Sequence, residues 1–251
     1  MKQMTKEFEW LLKEKYNGVK SDQYLIDVAR IEKGEPVDYV IGFSNFLGAR
    51  IGLEYKPLIP RVETEYWVEK AIIKIKEKFG DAHIHVLDMF AGSGCVGIAV
   101  LTHIPNSRVD FADIDESMVV QIQKNLNENN IAKDRYKIFV SNIFEELDTP
   151  VKYDVILANP PYIDRARNIT QDSVIAYEPH RALFAEKNGM QIIESFFNDI
   201  KSFLKSEYMV FVEHDDDQVG RIESILVSQG FENFLFQKDQ YGLQRWVEIS
   251  T

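Results

Sequence analysis

The chain has 251 residues, 45% hydrophobic and 27% charged, a balance that suits one large soluble domain or one domain with a small appendage. No apolar run approaches the ~18 residues needed to span a bilayer, the start lacks the apolar core of a secretion signal, and the lone cysteine, Cys95, cannot close an internal disulfide, so the expected compartment is the cytoplasm. The formal net charge of −11 argues against a grip on duplex nucleic acid through its phosphates and fits a cationic small molecule or a basic protein partner better.

Residues 1–33 carry apolar positions at helical spacing, Phe8, Leu11, Leu12 and Tyr16, then Leu25, Val28 and Ile31, with a turn-like NGVKSD between the sets. They predict a short N-terminal helical region. Residues 34–60 read as a linker, in which YVIGFSNFLGARIGLEY (39–55) has β-like runs punctuated by Gly42, Gly48 and Gly52 and predicts a hairpin. Residues 61–251 form the main domain. It opens on a helix over 62–79, with Trp67, Val68, Ala71, Ile72, Ile75 and Phe79 on one face. After Gly80, strands near 84–89, 108–113, 136–141, 153–158 and 207–213 alternate with helices near 95–104, 116–129, 189–204 and 216–229. Two final strands fall near 232–237 and 243–249. Such alternation predicts an α/β fold, a mostly parallel sheet with helices on both faces. The irregular stretch from 162 to about 188 is longer than an ordinary connection, and loops of that length are usually functional.

The run HVLDMFAGSGCVGIAVL passes from an apolar strand through a glycine turn into an apolar helix, and Gly92, Gly94 and Gly97 fit G-x-G-x-x-G. Glycines permit the tight turn and let a ligand approach the backbone. Asp113 lies at the end of the next strand, 21 residues after Gly92, where a carboxylate can accept from ribose hydroxyls. A nicotinamide dinucleotide and S-adenosylmethionine both carry such a ribose. Asp88, at the end of the first strand, tilts the choice, because a carboxylate there suits the cationic side of S-adenosylmethionine; alternatively it caps nearby backbone amides. Ser141 and Asn142 end the third strand, and Asn142 either reads the adenine edge or caps a following helix.

The fourth strand stops in Asn159-Pro160-Pro161-Tyr162. Two prolines remove two N–H donors and hold the preceding residue extended, so the chain leaves the sheet rigidly with carbonyls free to face a ligand. In a doubly wound sheet this strand end opens beside the first, in the crevice where ligands bind. The arrangement suits methyl transfer to a planar –NH2. That nitrogen is a poor nucleophile because its lone pair is conjugated. Two acceptors, the Asn159 side-chain oxygen and the Pro160 carbonyl, can draw its N–H bonds out of the plane while Tyr162 packs on the planar group.

With these motifs in view, the chain resembles the protein-(glutamine-N5) methyltransferases that modify peptide-chain release factors, the HemK/PrmC family. The likeness runs from about Gly34 to the end: GEPVDYVIGFSNFLG (34–48), LIPRVETEYWVE (58–69), the glycine loop, ADID, NPPYI, YEPHRALFAEKNG (177–189), FVEHDDDQ (211–218) and GLQRWVEI (242–249) stand in the family's order. The resemblance implies a Rossmann-like class I methyltransferase with a mixed seven-stranded sheet and a reversed last strand. It implies S-adenosylmethionine as cofactor, S-adenosylhomocysteine as product, no metal, and a release factor as protein substrate. The implied cofactor contacts are Asp88, Phe90, Ala91, Gly92, Gly94, Asp113, Ile114, Asn142, Ile143, Asn159 and Thr64. The implied catalytic residues are Asn159, Pro160 and Tyr162, with Pro161, Phe46, Arg61 and Glu63 beside the substrate; Phe46 reads equally well as a core aromatic. Glu178 is implied to order the loop over the site. About 33 residues precede the hairpin, where that family has a longer helical domain, so how a protein substrate is gripped stays open. The Asn-Pro-Pro-Tyr motif is shared with adenine-N6 methyltransferases of DNA or RNA, which is the alternative reading.

Overall fold

The computed structural model describes residues 6–147, 151–166 and 172–251. Helices α1 (Lys6–Glu14), α2 (Asp22–Glu32) and α3 (Val37–Ile41) form a small unit packed on Leu11, Tyr24, Ile31, Val40 and Phe43. Its polar centre is Asp27, fully buried and reached by Lys15 Nζ at 2.7 Å, the Tyr16 hydroxyl at 2.6 Å and Arg30 Nη1 at 3.0 Å. A buried carboxylate is tolerated because each oxygen receives charged or hydroxyl donors. Residues 39–41, expected within a strand, are instead the last turn of α3, closed by Gly42 at φ +99°. Tyr39, Val40 and Ile41 are β-formers by type, but burial of all three in a helical turn overrides that preference.

Strands β1 (Phe43–Phe46) and β2 (Ala49–Gly52) make the expected hairpin, joined through Leu47 and Gly48, both at positive φ. That two-residue turn matches the natural strand twist. Helix α4 (Val62–Phe79) buries Trp67, Val68, Ala71, Ile72 and Ile75, as its periodicity predicts.

The main domain continues through β3 (Ile84–Met89), α5 (Cys95–His103), β4 (Ser107–Asp113), α6 (Glu116–Glu128), β5 (Tyr136–Val140) and β6 (Tyr153–Ala158). The stretch after β6 is less irregular than expected. It holds a two-residue ladder, β7 (Ile163–Asp164) with β8 (Phe184–Ala185), and two short helices, α7 (Asp172–Tyr177) and α8 (His180–Leu183). Residues 167–171 of that stretch lie outside the described residues. Then come α9 (Gln191–Asp199), β9 (Leu204–Glu213), α10 (Val219–Ser228), β10 (Phe234–Lys238) and β11 (Gln244–Ser250).

The seven-stranded sheet has the order β10-β11-β9-β6-β3-β4-β5. β3, β4, β5, β6 and β9 are parallel, and β11 runs antiparallel to both neighbours, the reversed strand that the family resemblance implies. Central strands are buried on both faces: Val86, Phe111, Val155 and Leu157 point to the layer of α4, α5 and α6, while Leu87, Ala112 and Ile156 point to the layer of α9 and α10. The chain steps outward from β3 to β5, then returns to place β6 against the other side of β3. The crevice at the carboxyl ends of β3 and β6 is the point where the order reverses.

The hairpin is fastened to this domain by side-chain amides of α6 and of its C-cap, Asn129. Gln121 Oε1 accepts from Tyr55 N–H, Asn125 Oδ1 from Gly52 N–H and Asn129 Oδ1 from Arg50 N–H, at 2.9, 2.9 and 3.0 Å. Spaced four apart, these residues share one face of the helix and stand in for a neighbouring strand. Asn125 Nδ2 also donates to Ser93 O at 2.8 Å, which ties the hairpin to the glycine loop.

Candidate active site

A cavity of about 760 Å³ opens at the carboxyl ends of β3, β4 and β6, within the range of small-molecule sites. The glycine turn borders it through Phe90, at φ +62°, Ala91, Gly92, at φ +53°, and Ser93, and Gly94, at φ +79°, closes the turn into α5 behind that wall. Gly97 has a different reason to be glycine. A Cβ there would stand 2.3 Å from Phe111 Cε1, so its absence lets α5 sit down on the sheet.

Asp113 is held in place by the loop that it serves. Its Oδ2 accepts from Gly92 N–H at 2.8 Å and its Oδ1 from Asp115 N–H at 2.9 Å. Burial pushes its carboxyl above the usual aspartate range, against the pull of those two amides. Each oxygen keeps a lone pair for a further donor. Asp88, 2% exposed, accepts from Gly97 N–H at 2.8 Å and also lines the cavity. Burial drives its carboxyl well above the ordinary range. Asp88 therefore caps an amide, as one of its two readings had it, and also lines the cavity.

Asn142 and Ile143 border the same cavity, with Ile114. No helix follows Asn142, so the capping alternative falls; residues 142–147 form a turn. The residue that organises this turn is Ser141, whose hydroxyl donates to Ile143 O at 2.7 Å and accepts from Glu146 N–H at 3.2 Å. The exposed Asn142 side chain donates to Glu145 Oε1.

A second cavity of about 380 Å³ adjoins the first, and Leu58, Arg61, Asn159 and Ala182 line both. Pro160, Tyr162 and Glu63 line the smaller cavity, and Thr64, Ala91 and Pro161 the larger. Asn159 thus stands at the junction. Its Nδ2 donates to Thr64 Oγ1 at 3.3 Å. The Tyr162 hydroxyl donates to Glu213 Oε1 at 2.9 Å, which fixes the ring, and the Tyr162 carbonyl accepts from Gln218 Nε2 at 2.9 Å. Burial, then the neighbouring Glu213 charge, pushes the phenol well above its ordinary value, so it stays a neutral donor.

Glu178 is buried and bridges the loop to the start of α4, accepting from Ile59 N–H at 3.1 Å and from Arg61 Nη2 at 2.7 Å. Arg61 is accordingly a clamp as well as a wall residue. Two expected site residues line neither cavity: Gly94 backs against the Ile122 side chain of α6, and Phe46 is 1% exposed in the main core, because the hairpin buries it against the domain. Glu213 and Gln218, within FVEHDDDQ, and Ser141, at the end of the third strand, carry hydrogen bonds of the site that the sequence did not assign to them.

A switch-point crevice, a glycine turn with an acidic residue on the next strand, and a polar amide between two cavities define a class I methyltransferase. The Methyltransferase small domain family model matches residues 73–207. The chain is 33% identical over 212 residues to the release factor glutamine methyltransferase of Francisella tularensis, covering 84% of this chain and 73% of that one. It is 30% identical to the bifunctional methyltransferase of Rickettsia typhi over 86% of its own length but only 44% of the relative's. Among solved structures, the hMettl16 catalytic domain in complex with MAT2A 3'UTR hairpin 6 is similar in fold, with a TM-score of 0.63 at 15% identity over 81% of this chain and 76% of that one. The chain belongs to the release factor glutamine methyltransferase family, as its motifs implied, and is an S-adenosylmethionine-dependent methyltransferase.

Proposed function

We propose that this protein methylates the side-chain amide nitrogen of a glutamine, the one in the Gly-Gly-Gln loop of a peptide-chain release factor, in the cytoplasm. The observation that carries this reading is Asn159 at the junction of the two cavities, flanked on the smaller one by Pro160 and Tyr162. The larger cavity is assigned to S-adenosylmethionine, which supplies the methyl group when bound. Its cradle is Gly92 and the turn that Gly94 closes, with Asp113 at the ribose, Asn142, Ile143 and Ile114 toward the adenine, and Asp88 and Thr64 on the methionine side. The smaller cavity takes the glutamine side chain. Asn159 Oδ1 and the Pro160 carbonyl accept its two N–H bonds and draw them from the amide plane, while Tyr162 bounds the planar group. A nitrogen held this way keeps lone-pair density for attack, provided that it sits ~3–3.5 Å from the methyl carbon. Once the nitrogen is alkylated its proton leaves readily to solvent, so no strong base is needed. Residues 61–251 are assigned as the catalytic domain, 34–60 as a linker hairpin and 1–33 as an N-terminal helical unit.

The test is methyl transfer from labelled S-adenosylmethionine to the purified cognate release factor, with peptide mass mapping. A single added methyl on the Gly-Gly-Gln glutamine is expected. Asn159→Ala is expected to lower turnover at least ~100-fold, within the range for removing a preorganised polar contact, with cofactor affinity largely kept. Turnover near wild type in that variant would remove Asn159 from the mechanism. Label appearing on DNA or RNA, with salt-sensitive binding, would favour the adenine-N6 alternative.

A further inference from the structure

Glu213 ends β9 and points between α4 and the Asn-Pro-Pro-Tyr segment, 2% exposed. Three donors converge on it. Its Oε2 accepts from the Thr64 hydroxyl at 2.7 Å and from Trp67 Nε1 at 2.6 Å, and its Oε1 accepts from the Tyr162 hydroxyl at 2.9 Å. The geometry points to Glu213 as a positioning residue that, through Thr64, fixes which end of the Asn159 amide faces the substrate. This inference rests on the amide-methylation reading above.

The reasoning is a matter of proton counting. An indole N–H only donates, so the Glu213 Oε2 that Trp67 and Thr64 share acts as an acceptor. Thr64 has one hydroxyl proton, and Glu213 takes it. Thr64 Oγ1 is then left with lone pairs alone. Its other partner, 3.3 Å away, is the head of Asn159, which must therefore present its NH2. The two ends of an amide head are distinguished by such partners. With Nδ2 committed to Thr64, Asn159 Oδ1 is the end left for the substrate. Methylation of an amide requires an acceptor there, because the substrate nitrogen presents N–H donors. Turned over, Asn159 would set donor against donor and offer the nitrogen no help. Glu213 and Thr64 lie on β9 and α4, far from Asn159 in sequence but joined in one chain of hydrogen bonds. Arg245, which lines the smaller cavity with Glu213, adds positive charge beside the carboxylate.

Three variants test the chain: Glu213→Gln, Thr64→Val and Thr64→Ser. Gln can donate as well as accept, so it no longer dictates the Thr64 proton. Val keeps the shape of Thr64 and removes the hydroxyl; Ser restores it. Glu213→Gln and Thr64→Val are expected to lower kcat at saturating S-adenosylmethionine by at least ~10-fold, the scale of one lost charge-assisted hydrogen bond, while the KM for the acceptor holds within about twofold; Glu213→Gln, outside the cofactor cavity, also keeps the Kd for S-adenosylmethionine. Thr64→Ser is expected to recover most of the rate lost in Thr64→Val. If Thr64→Val folds and turns over like wild type at saturating cofactor, or if the loss in Glu213→Gln appears in cofactor Kd instead of kcat, the inference is overturned. Failure of Ser to restore the rate overturns it too. Thr64→Val keeps the test decisive should Glu213→Gln not fold. Ratios are taken on whichever acceptor wild type labels, so a wild type that ignores the release factor fails the functional reading while these ratios stay measurable.

Discussion

Asp113 shows how a single side chain can serve two masters. Its two oxygens already accept from Gly92 and Asp115 N–H, so the carboxylate shapes the glycine turn before any ligand arrives. Replacing it with Asn would point an NH2 at one of those amides, donor against donor. Asp113→Asn is expected to weaken S-adenosylmethionine binding by at least ~10-fold, since a buried donor is left unpaired and, on the proposed reading, a ribose acceptor is lost. Titration calorimetry measures this directly, and affinity within twofold of wild type would separate Asp113 from the ribose. Phe90 and Ile143 carry a different cost. Both hold positive φ without being glycine, and both line the larger cavity. Backbone strain of this kind persists only where surrounding packing over-determines it, and the Phe90 ring is braced by Phe196.

Between elements, the tightest contact behind the site is the approach of α9 to the Asn-Pro-Pro-Tyr segment. Gly189, just before α9, has φ +79°, and a Cβ there would lie 2.0 Å from the Tyr162 carbonyl oxygen and 2.7 Å from Gln218 Nε2. That clash is with backbone, so it cannot be relieved by a rotamer change. Gly189→Ala is expected to shift the segment, cut the Gln218 bond to Tyr162, and destabilise the fold by about 1–3 kcal/mol. The rate should fall further than stability does, because an offset of the acceptors misaligns attack. Urea unfolding and kcat measured on the same preparation separate the two effects. Unchanged kcat would mean that the segment tolerates the displacement.

Across the whole molecule, two sets of carboxylates have opposite pH behaviour. In the N-terminal unit, the donors from Lys15, Tyr16 and Arg30 outweigh burial and hold Asp27 below its ordinary value, and the Arg30 fork does the same for Glu35. A depressed folded pKa adds stability that is present above the unfolded value and lost as pH falls through the folded one. In the main domain, burial raises Asp88, Asp113 and Glu213. A raised folded pKa contributes stability that is present at low pH and lost as pH rises through it. Acidification below about pH 4, the ordinary carboxylate range, is therefore expected to loosen helices α1 and α2 ahead of the sheet. Amide hydrogen exchange at descending pH would show protection lost first in residues 6–33; loss beginning in β3 or β6 would contradict the assignment.

The sequence by itself determined the order of strands and helices, the hairpin, the glycine turn, Asp113, and the Asn-Pro-Pro-Tyr exit from β6, because each is written in local periodicity or in residues whose backbone limits are strong. It also carried the family, through motifs in fixed order. Tertiary structure decided what depends on distant segments meeting. Phe46 went to the core and residues 39–41 to a helix because packing outweighs local preference. Ser141, not Asn142, organises the third strand's exit, since only the folded turn shows which hydroxyl reaches which amide. Glu213 lies in the FVEHDDDQ stretch that carries the resemblance, but the sequence assigned it no role; its importance arises where β9, α4 and the loop after β6 bring three donors to one buried carboxylate.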